Sequence, residues 1–230
     1  HQPHNRLPEA SIIVDPKQEG DNYPFKDFAN AGLIYRLAQE ILGDLFEEYR
    51  KSFSEIAALS TIADMMRPEE DNKEIIDEGL SNLTTTSRPG LKVFWTDKIV
   101  DDQVSIRETA QRITSIFGAS EITDHKTEAY LALVAKDEKD AGKIIKRLFK
   151  KNRLKQETVL KMVEQVMKTV SSDDKVIFKG RKCWQVHLLG SAASRIVNEL
   201  KVPIFLYKKG EKSSRGAVRA PQGVNAVDVM

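Results

Sequence analysis

Apolar residues recur at helical spacing from Asp27 to Tyr49, where Phe28, Ala31, Tyr35, Ala38, Leu42, Leu45 and Tyr49 form one stripe. Gly32 interrupts this helix and costs about 1 kcal/mol relative to alanine, which marks close packing or the close approach of another group. Ser54 to Met66 predicts a second helix with Ser54 as its N-cap, ended by Pro68. Asp71 to Leu83 predicts a third, capped by Asp71 or Asn72. The polar run Thr84 to Gly90 must turn, and Leu91 to Thr96 starts another short helix. Asp101 to Ile122 reads as a helix followed by a loop, and Thr127 to Val134 as a helix. Asp137 to Val170 carries Ala141, Ile144, Ile145, Leu148, Phe149, Val159, Leu160, Val163, Val166 and Met167, the pattern of one or two long amphipathic helices.

Strand-like patterning lies at the two ends. Ser11 to Asp15 is short and β-branched and meets Pro16, as in a buried strand that ends in a turn. After Ser171 the period shortens. Lys175 to Lys179, Cys183 to Leu188, Pro203 to Tyr207 and Gly216 to Arg219 are strand candidates, with a helix from Gly190 to Leu200 between the second and third. That order predicts a small α/β domain.

Composition narrows the class. The 230 residues carry a net charge of only +2, so any anion-binding surface must come from local clustering. One cysteine, Cys183, rules out a disulfide framework within the chain and fits a reducing, cytoplasmic setting. No run approaches the roughly 20 apolar residues that cross a bilayer, and the polar segment His1 to Pro8 is unlike a signal peptide. The first residue is His1 rather than Met, and Asn225 to Met230 reads like a helix just beginning, so a fragment cut at both ends is expected.

Three segments together resemble the RecJ-type exonucleases of the DHH phosphoesterase family. His1-Gln2-Pro3, Leu7 to Ala10 and Ile12 to Pro16 resemble the end of the Asp-His-His signature and the strand that follows it, and Gly32 matches a helix glycine. Ala58-Leu59-Ser60-Thr61-Ile62-Ala63-Asp64 is the most specific match, followed by Asp71-Asn72-Lys73, Gly79-Leu80 and Arg88-Pro89-Gly90-Leu91. Gly190 to Arg195, Pro203 to Phe205 and Arg219 with Gly223 and Asn225 resemble the DHH-associated domain. The chain departs from the family pattern at Trp184-Gln185, where a His is lost, with His187 two residues on as a substitute on the same side of a strand. It departs also at Arg112 to Ile116, and at Arg215 to Ala220, which lacks a second glycine and a serine after Arg219.

The resemblance implies an α/β fold: residues 1–96 as the C-terminal part of a DHH domain, 97–122 as a connection, and 123–230 as the small α/β DHH-associated domain with its leading helices. It implies a 5′-to-3′ exonuclease on single-stranded DNA with two Mn²⁺ or Mg²⁺ ions, and a strand held in a cleft between the domains. His1 and Asp64 would be metal ligands, and hard carboxylate and imidazole donors suit such ions. The remaining ligands would lie upstream, so the chain alone is expected to be inactive. A DHH-family nano-RNase or nucleotide phosphatase, and a non-catalytic nucleic-acid-binding or replication-associated relative, are the competing readings.

Substrate contacts are expected at Gly190, Ser191, Ser194, Arg195, Gly216, Arg219 and His187. A helix opening at Gly190-Ser191 would offer unpaired N–H groups to a phosphate, and Arg219 a bidentate guanidinium. The plainer readings are helix capping and surface arginines. For Asp64 the plainer reading is a solvated helix end, where the dipole disfavours it. The basic run from Lys143 to Lys155 is commonly just a solvated face. His4 and His125 lack ligand spacing, and Trp95 and Trp184 suit packing better than base stacking.

Overall fold

The computed structural model describes residues 8–101, 103–171 and 173–226. These form an α/β protein of two compact units, one ending at Phe149 and the other starting at Lys150. Helices α1 (Asn30–Leu42), α2 (Phe46–Ala63), α3 (Glu70–Leu83), α4 (Pro89–Thr96), α5 (Ile106–Phe117) and α6 (Glu128–Leu133) build the first unit, with a two-residue ribbon of β1 (Ile122–Thr123) and β2 (Lys126–Thr127). Helix α7 (Glu138–Met167) runs unbroken past the division, so one helix meets the 137–170 pattern. The second unit continues with β3 (Ile177–Arg181), α8 (Val186–Leu200), β4 (Ile204–Lys208) and β5 (Arg215–Arg219).

The aromatic run decides where the first helices break. Tyr35, Phe46 and Phe53 stack edge to face in a small core, which keeps α2 helical well upstream of Ser54. The chain turns instead at Gly43, whose φ of 52° favours a residue without Cβ. Ser54 is therefore not an N-cap. It is fully buried mid-helix, donates to the Lys51 carbonyl at 3.0 Å and accepts from Asn82 Nδ2 of α3 at 3.0 Å. Neither expected cap of α3 caps it, because Glu69 holds that position without a side-chain bond. Asp71 pairs with Arg36 at 2.6 Å, and Asn72 donates to the carbonyls of Asp27 and Arg67.

The segment Ser11 to Asp15 forms no ladder, and Ile12 is 81% exposed, contrary to the buried strand expected there. A strand needs a neighbour, and no described residue supplies one. The expected strand Cys183 to Leu188 is also absent. Trp184 is buried, Gln185 is the extended N-cap, and α8 starts at Val186 because Leu188, Leu189, Ala192, Ala193 and Ile196 continue the helical period backwards. The order is thus strand, helix, strand, strand, with β3 parallel to β4 and β4 antiparallel to β5. The helix start expected at Asn225 to Met230 lies partly outside the described residues.

Each unit has its own core. In the first, Leu91, Phe94, Ile113, Ile116, Ile145 and Leu148 are fully buried, joining α4, α5 and the start of α7. Packing therefore gathers residues up to Phe149 into one unit, past the segment edges expected at 96 and 122. In the second, Val159, Met162 and Val166 of α7 meet α8 and the inner residues Ile177, Ile204 and Leu206. No helix among the described residues is long and apolar enough to cross a membrane.

Helices α2 and α3 touch through Gly79. A Cβ there would lie 2.2 Å from the Ser54 carbonyl oxygen and 2.3 Å from the Ala58 Cβ. At Gly32 a Cβ would meet only ordinary contacts of 3.4–3.6 Å, from Ile75, Phe28 and Thr61. Gly79→Ala should thus destabilise by about 1–3 kcal/mol through overpacking, lowering the melting temperature by roughly 2–4 °C per kcal/mol. Gly32→Ala should be neutral or stabilising. Equal melting shifts for the two variants, by calorimetry, would contradict this packing.

Candidate functional site

In the second unit the register of β5 fixes the chemistry. Arg219, Ala217 and Arg215 pair with Ile204, Leu206 and Lys208. Because side chains alternate, Arg219 shares the α8 side of the sheet with the buried Ile204 and Leu206. Its Nε donates to Ser194 Oγ at 3.0 Å and its Nη1 to the Val218 carbonyl at 2.7 Å. A guanidinium has five N–H donors, so three remain without a partner among the described residues, on an exposed side chain. Gly190 makes the room: a Cβ there would sit 3.2 Å from Nη2 and 3.9 Å from the Ala217 Cβ.

The structure thus brings Gly190, Ser194 and Arg219 together, but not as the sequence suggested. Gly190 is in the fifth position of α8, so its N–H belongs to the helix interior rather than to an open helix start. His187, Gly190, Ser191, Ser194 and Arg195 instead follow the i, i+3, i+4 spacing of one helix face. His187 is helical, so the expected strand partnership with Gln185 does not exist. Arg195 is engaged with Gln156 of α7. Gly216 pairs with Tyr207 and so lies on the other face of β5 from Arg219.

In the first unit, Asp64 caps the C-terminus of α2, with its N–H donating to the Ser60 carbonyl at 2.9 Å. Its side chain is exposed. Met65 then takes a left-handed φ of 53° and the helix stops. Thr61, in the same motif, is buried and donates to the Ala57 carbonyl at 2.7 Å. His1 and His4 lie outside the described residues. Among the described residues no three His, Cys, Asp or Glu side chains gather as a metal site.

Other motif residues serve packing. Thr86 Oγ1 donates to Glu55 Oε2 at 2.9 Å and accepts from the Arg88 N–H at 3.2 Å, and Arg88 Nη2 donates to Ser52 Oγ at 2.6 Å. Glu55 is 1% exposed, and its Oε1 and the Arg88 Nε find no hydrogen-bond partner. Burial pushes the Glu55 carboxyl above the ordinary range, against the hydroxyl of Thr86 and the charge of Arg88. Sequence reasoning missed this cluster, although a glutamate among Ala57, Ala58 and Leu59 was a visible signal. Trp184 packs as expected, its Nε1 donating to Gln165 Oε1 at 2.9 Å. In the basic run of α7, Lys143, Lys146, Arg147 and Arg153 pair with Asp140, Asp97, Glu128 and Glu157, which is the plainer reading.

Two compact units, one closed by a small three-stranded sheet with an arginine held over a glycine of the adjoining helix, define the class as an α/β protein with a guanidinium cradle open to solvent. Comparison with known proteins narrows this. No family model matches the chain. It is 29% identical over 235 residues to the single-stranded-DNA-specific exonuclease RecJ of Bacillus subtilis (strain 168), covering 98% of this chain and 29% of that protein. A crystal structure of exonuclease RecJ bound to manganese shares the fold with a TM-score of 0.74 and 24% identity, over 99% of this chain and 57% of the other. RecJ from Thermus thermophilus in complex with Mg²⁺ matches with a TM-score of 0.68 and 22% identity, over 85% and 30%. The chain is RecJ-like in sequence and in fold. It spans less than half the length of the curated relatives it matches.

A raised carboxyl pKa means that folding favours protonated Glu55. Stability from this group is then present below the unfolded value of about 4.3 and lost as pH rises through the higher folded value. Glu55→Gln removes that loss while keeping an acceptor for Thr86. The melting temperature of the variant minus that of the wild type should grow more positive from about pH 4 upward; a flat difference would show that Glu55 titrates normally.

Proposed function

We propose that this chain is the strand-holding part of a RecJ-type phosphodiesterase that degrades single-stranded DNA from its 5′ end. The observation that carries the reading is the Arg219 cradle. Its uncommitted N–H donors suit a tetrahedral anion, and guanidinium groups bind phosphate oxygens in pairs. Ser194 holds the Nε end, so the open Nη2 side of the group is oriented before any strand arrives. Residues 150–230 would then be the DHH-associated, substrate-binding part, and the first unit the end of the catalytic domain. The names of the similar proteins support the substrate: they are single-stranded-DNA-specific exonucleases.

Relatives hold Mn²⁺ or Mg²⁺, and a pair of such ions would supply charge neutralisation and an activated water. The described residues do not fit that pair by themselves. Asp64 is one exposed carboxylate at a helix end, with no second and third donor gathered beside it. Two ions need more oxygen and imidazole donors than this. What the chain's own residues do in this reading is hold the strand: Arg219 grips a phosphate, Ser194 fixes the guanidinium, and Gly190 leaves the guanidinium room to lie against α8.

Two measurements test this. With divalent ions chelated, Arg219→Ala should weaken binding of a labelled dT15 strand at least about tenfold and lower the slope of log K against log salt by roughly one. Unchanged affinity and slope would remove the cradle from the reading. The purified chain should release no nucleotides from single-stranded DNA with Mn²⁺ present; metal-dependent hydrolysis by it would show that its own residues complete a site.

A further inference from the structure

The α8 side of the sheet carries more positive charge than Arg219 alone. Arg181 of β3, Lys208 of β4 and Arg215 of β5 stand in register with one another at one end of the strands. Side chains alternate, so Arg181 falls with Ile177, Lys208 with Ile204 and Leu206, and Arg215 with Ala217 and Arg219, all toward α8. Phe178, Phe205 and Tyr207 take the opposite face. The three cations lie past the core residues of their strands and are exposed. Neighbouring strands are about 4.8 Å apart, so the row is about 10 Å wide. Arg215 is about 13 Å along β5 from Arg219. Residues 182–185 join β3 to α8, so the helix begins at the row's end of the sheet, with His187 on the face that also carries Gly190 and Ser194.

Like charges on neighbouring strands cost stability, and none of these three cations is ion-paired among the described residues. Lys182, Lys209 and Lys212 adjoin the row, with Glu211 as the single acid between Lys208 and Arg215. The Lys209 N–H donates to the Arg181 carbonyl at 3.2 Å, so backbone pairing runs through the row and holds its members side by side. The excess belongs to this unit and not to the chain as a whole. Residues 150–230 hold 17 Lys and Arg against 7 Asp and Glu, a net +10 on a chain of net +2, which leaves −8 for residues 1–149. A row of cations with no acid beside it has its counter-charge supplied from outside the unit.

We propose that the Arg181, Lys208 and Arg215 row is a second phosphate site for a bound single strand, further along the strand's backbone than the phosphate in the Arg219 cradle. Arg219 is tied to Ser194 and to the Val218 carbonyl, so it does not lean toward the row. A chain of phosphates, rather than one anion, therefore spans both. Positively charged grooves track the backbone of single strands, and guanidinium groups suit paired phosphate oxygens. The two sites share one face of one sheet, so a strand passes from one to the other without crossing a sheet edge. The proposal rests on reading the second unit as a strand binder and adds a site that Arg219 does not form.

The test removes equal charge at two places in the same unit and measures dT15 binding by fluorescence anisotropy under chelation. The row variant combines Arg181→Ala, Lys208→Ala and Arg215→Ala. The control combines Lys161→Ala, Lys168→Ala and Lys175→Ala, also exposed cations. The row variant should weaken dT15 at least about tenfold and lower the slope of log K against log salt by roughly two. The control should weaken it less than about threefold and change the slope by less than about one. Arg181→Lys with Arg215→Lys should keep the slope of the wild type. Because like charges are removed from exposed positions, the row variant should melt at or above the wild type. Should it melt lower, Arg215→Gln alone takes its place and should lower the slope by roughly 0.7. Equal losses in row and control variants, or no loss in either, overturn the site. So does a polyglutamate of equal length that binds as tightly as dT15 and is weakened as much by the row variant, which would mark a surface for acidic proteins. Arg219→Ala separates the two readings. Loss with Arg219→Ala and none with the row variant leaves the cradle and removes the row; the reverse removes the cradle and keeps the row. Absence of any dT15 binding by the wild type overturns both.

Discussion

Register in the β4–β5 pair governs the second unit. A strand has two faces, and the antiparallel pairing of Ile204 with Arg219 sets 215, 217 and 219 toward α8 and 216 and 218 away from it. A slip of one residue would exchange the sets. Arg219 would leave Ser194, and Val218 would replace Ala217 against the helix. The register is pinned because the α8 side is a dry core of Ile177, Ile204 and Leu206. Hydrophobic burial on one face thereby positions an arginine on the rim of the same face, and aromatic rings on the other.

The first unit uses its motif residues differently. Gly79 lets α3 lie against the backbone of α2. Thr61 closes onto the carbonyl a turn earlier, and Arg88 ties the turn before α4 to Ser52 and the buried Glu55. A sequence motif that reads as chemistry is here largely a packing scheme, which leaves Asp64 as its exposed end. Buried polar groups of this kind are expensive unless satisfied, and the two unpaired atoms on Glu55 and Arg88 mark the place where satisfaction is incomplete.

Much of this was legible from the residues alone. Long periodic segments announced α1, α3 and α7, because the 3.6-residue period persists over several turns. The approach of Arg219 to Ser194 was legible only as two separate candidates, since the pairing depends on contacts 25 positions apart. Boundaries failed where tertiary packing overrode local signals. The aromatic run around Phe46 carried α2 past an N-cap-like serine, and the core residues of α8 carried it back through a run that alternated like a strand. The strand at Ser11 failed for a different reason: β structure is a property of pairs, and one chain segment cannot state whether its partner is present.

That last point has a material consequence. Ile12 and Val14 are 81% and 47% exposed on a β-prone run with no ladder beside it among the described residues. Such a run resembles an exposed sheet edge, which can pair with an extended peptide, although the Ile13 and Asp15 carbonyls already accept from Gln18. Within the run itself no lysine or proline guards it in the way that natural sheet edges are guarded, and Pro16 stands only at its far end.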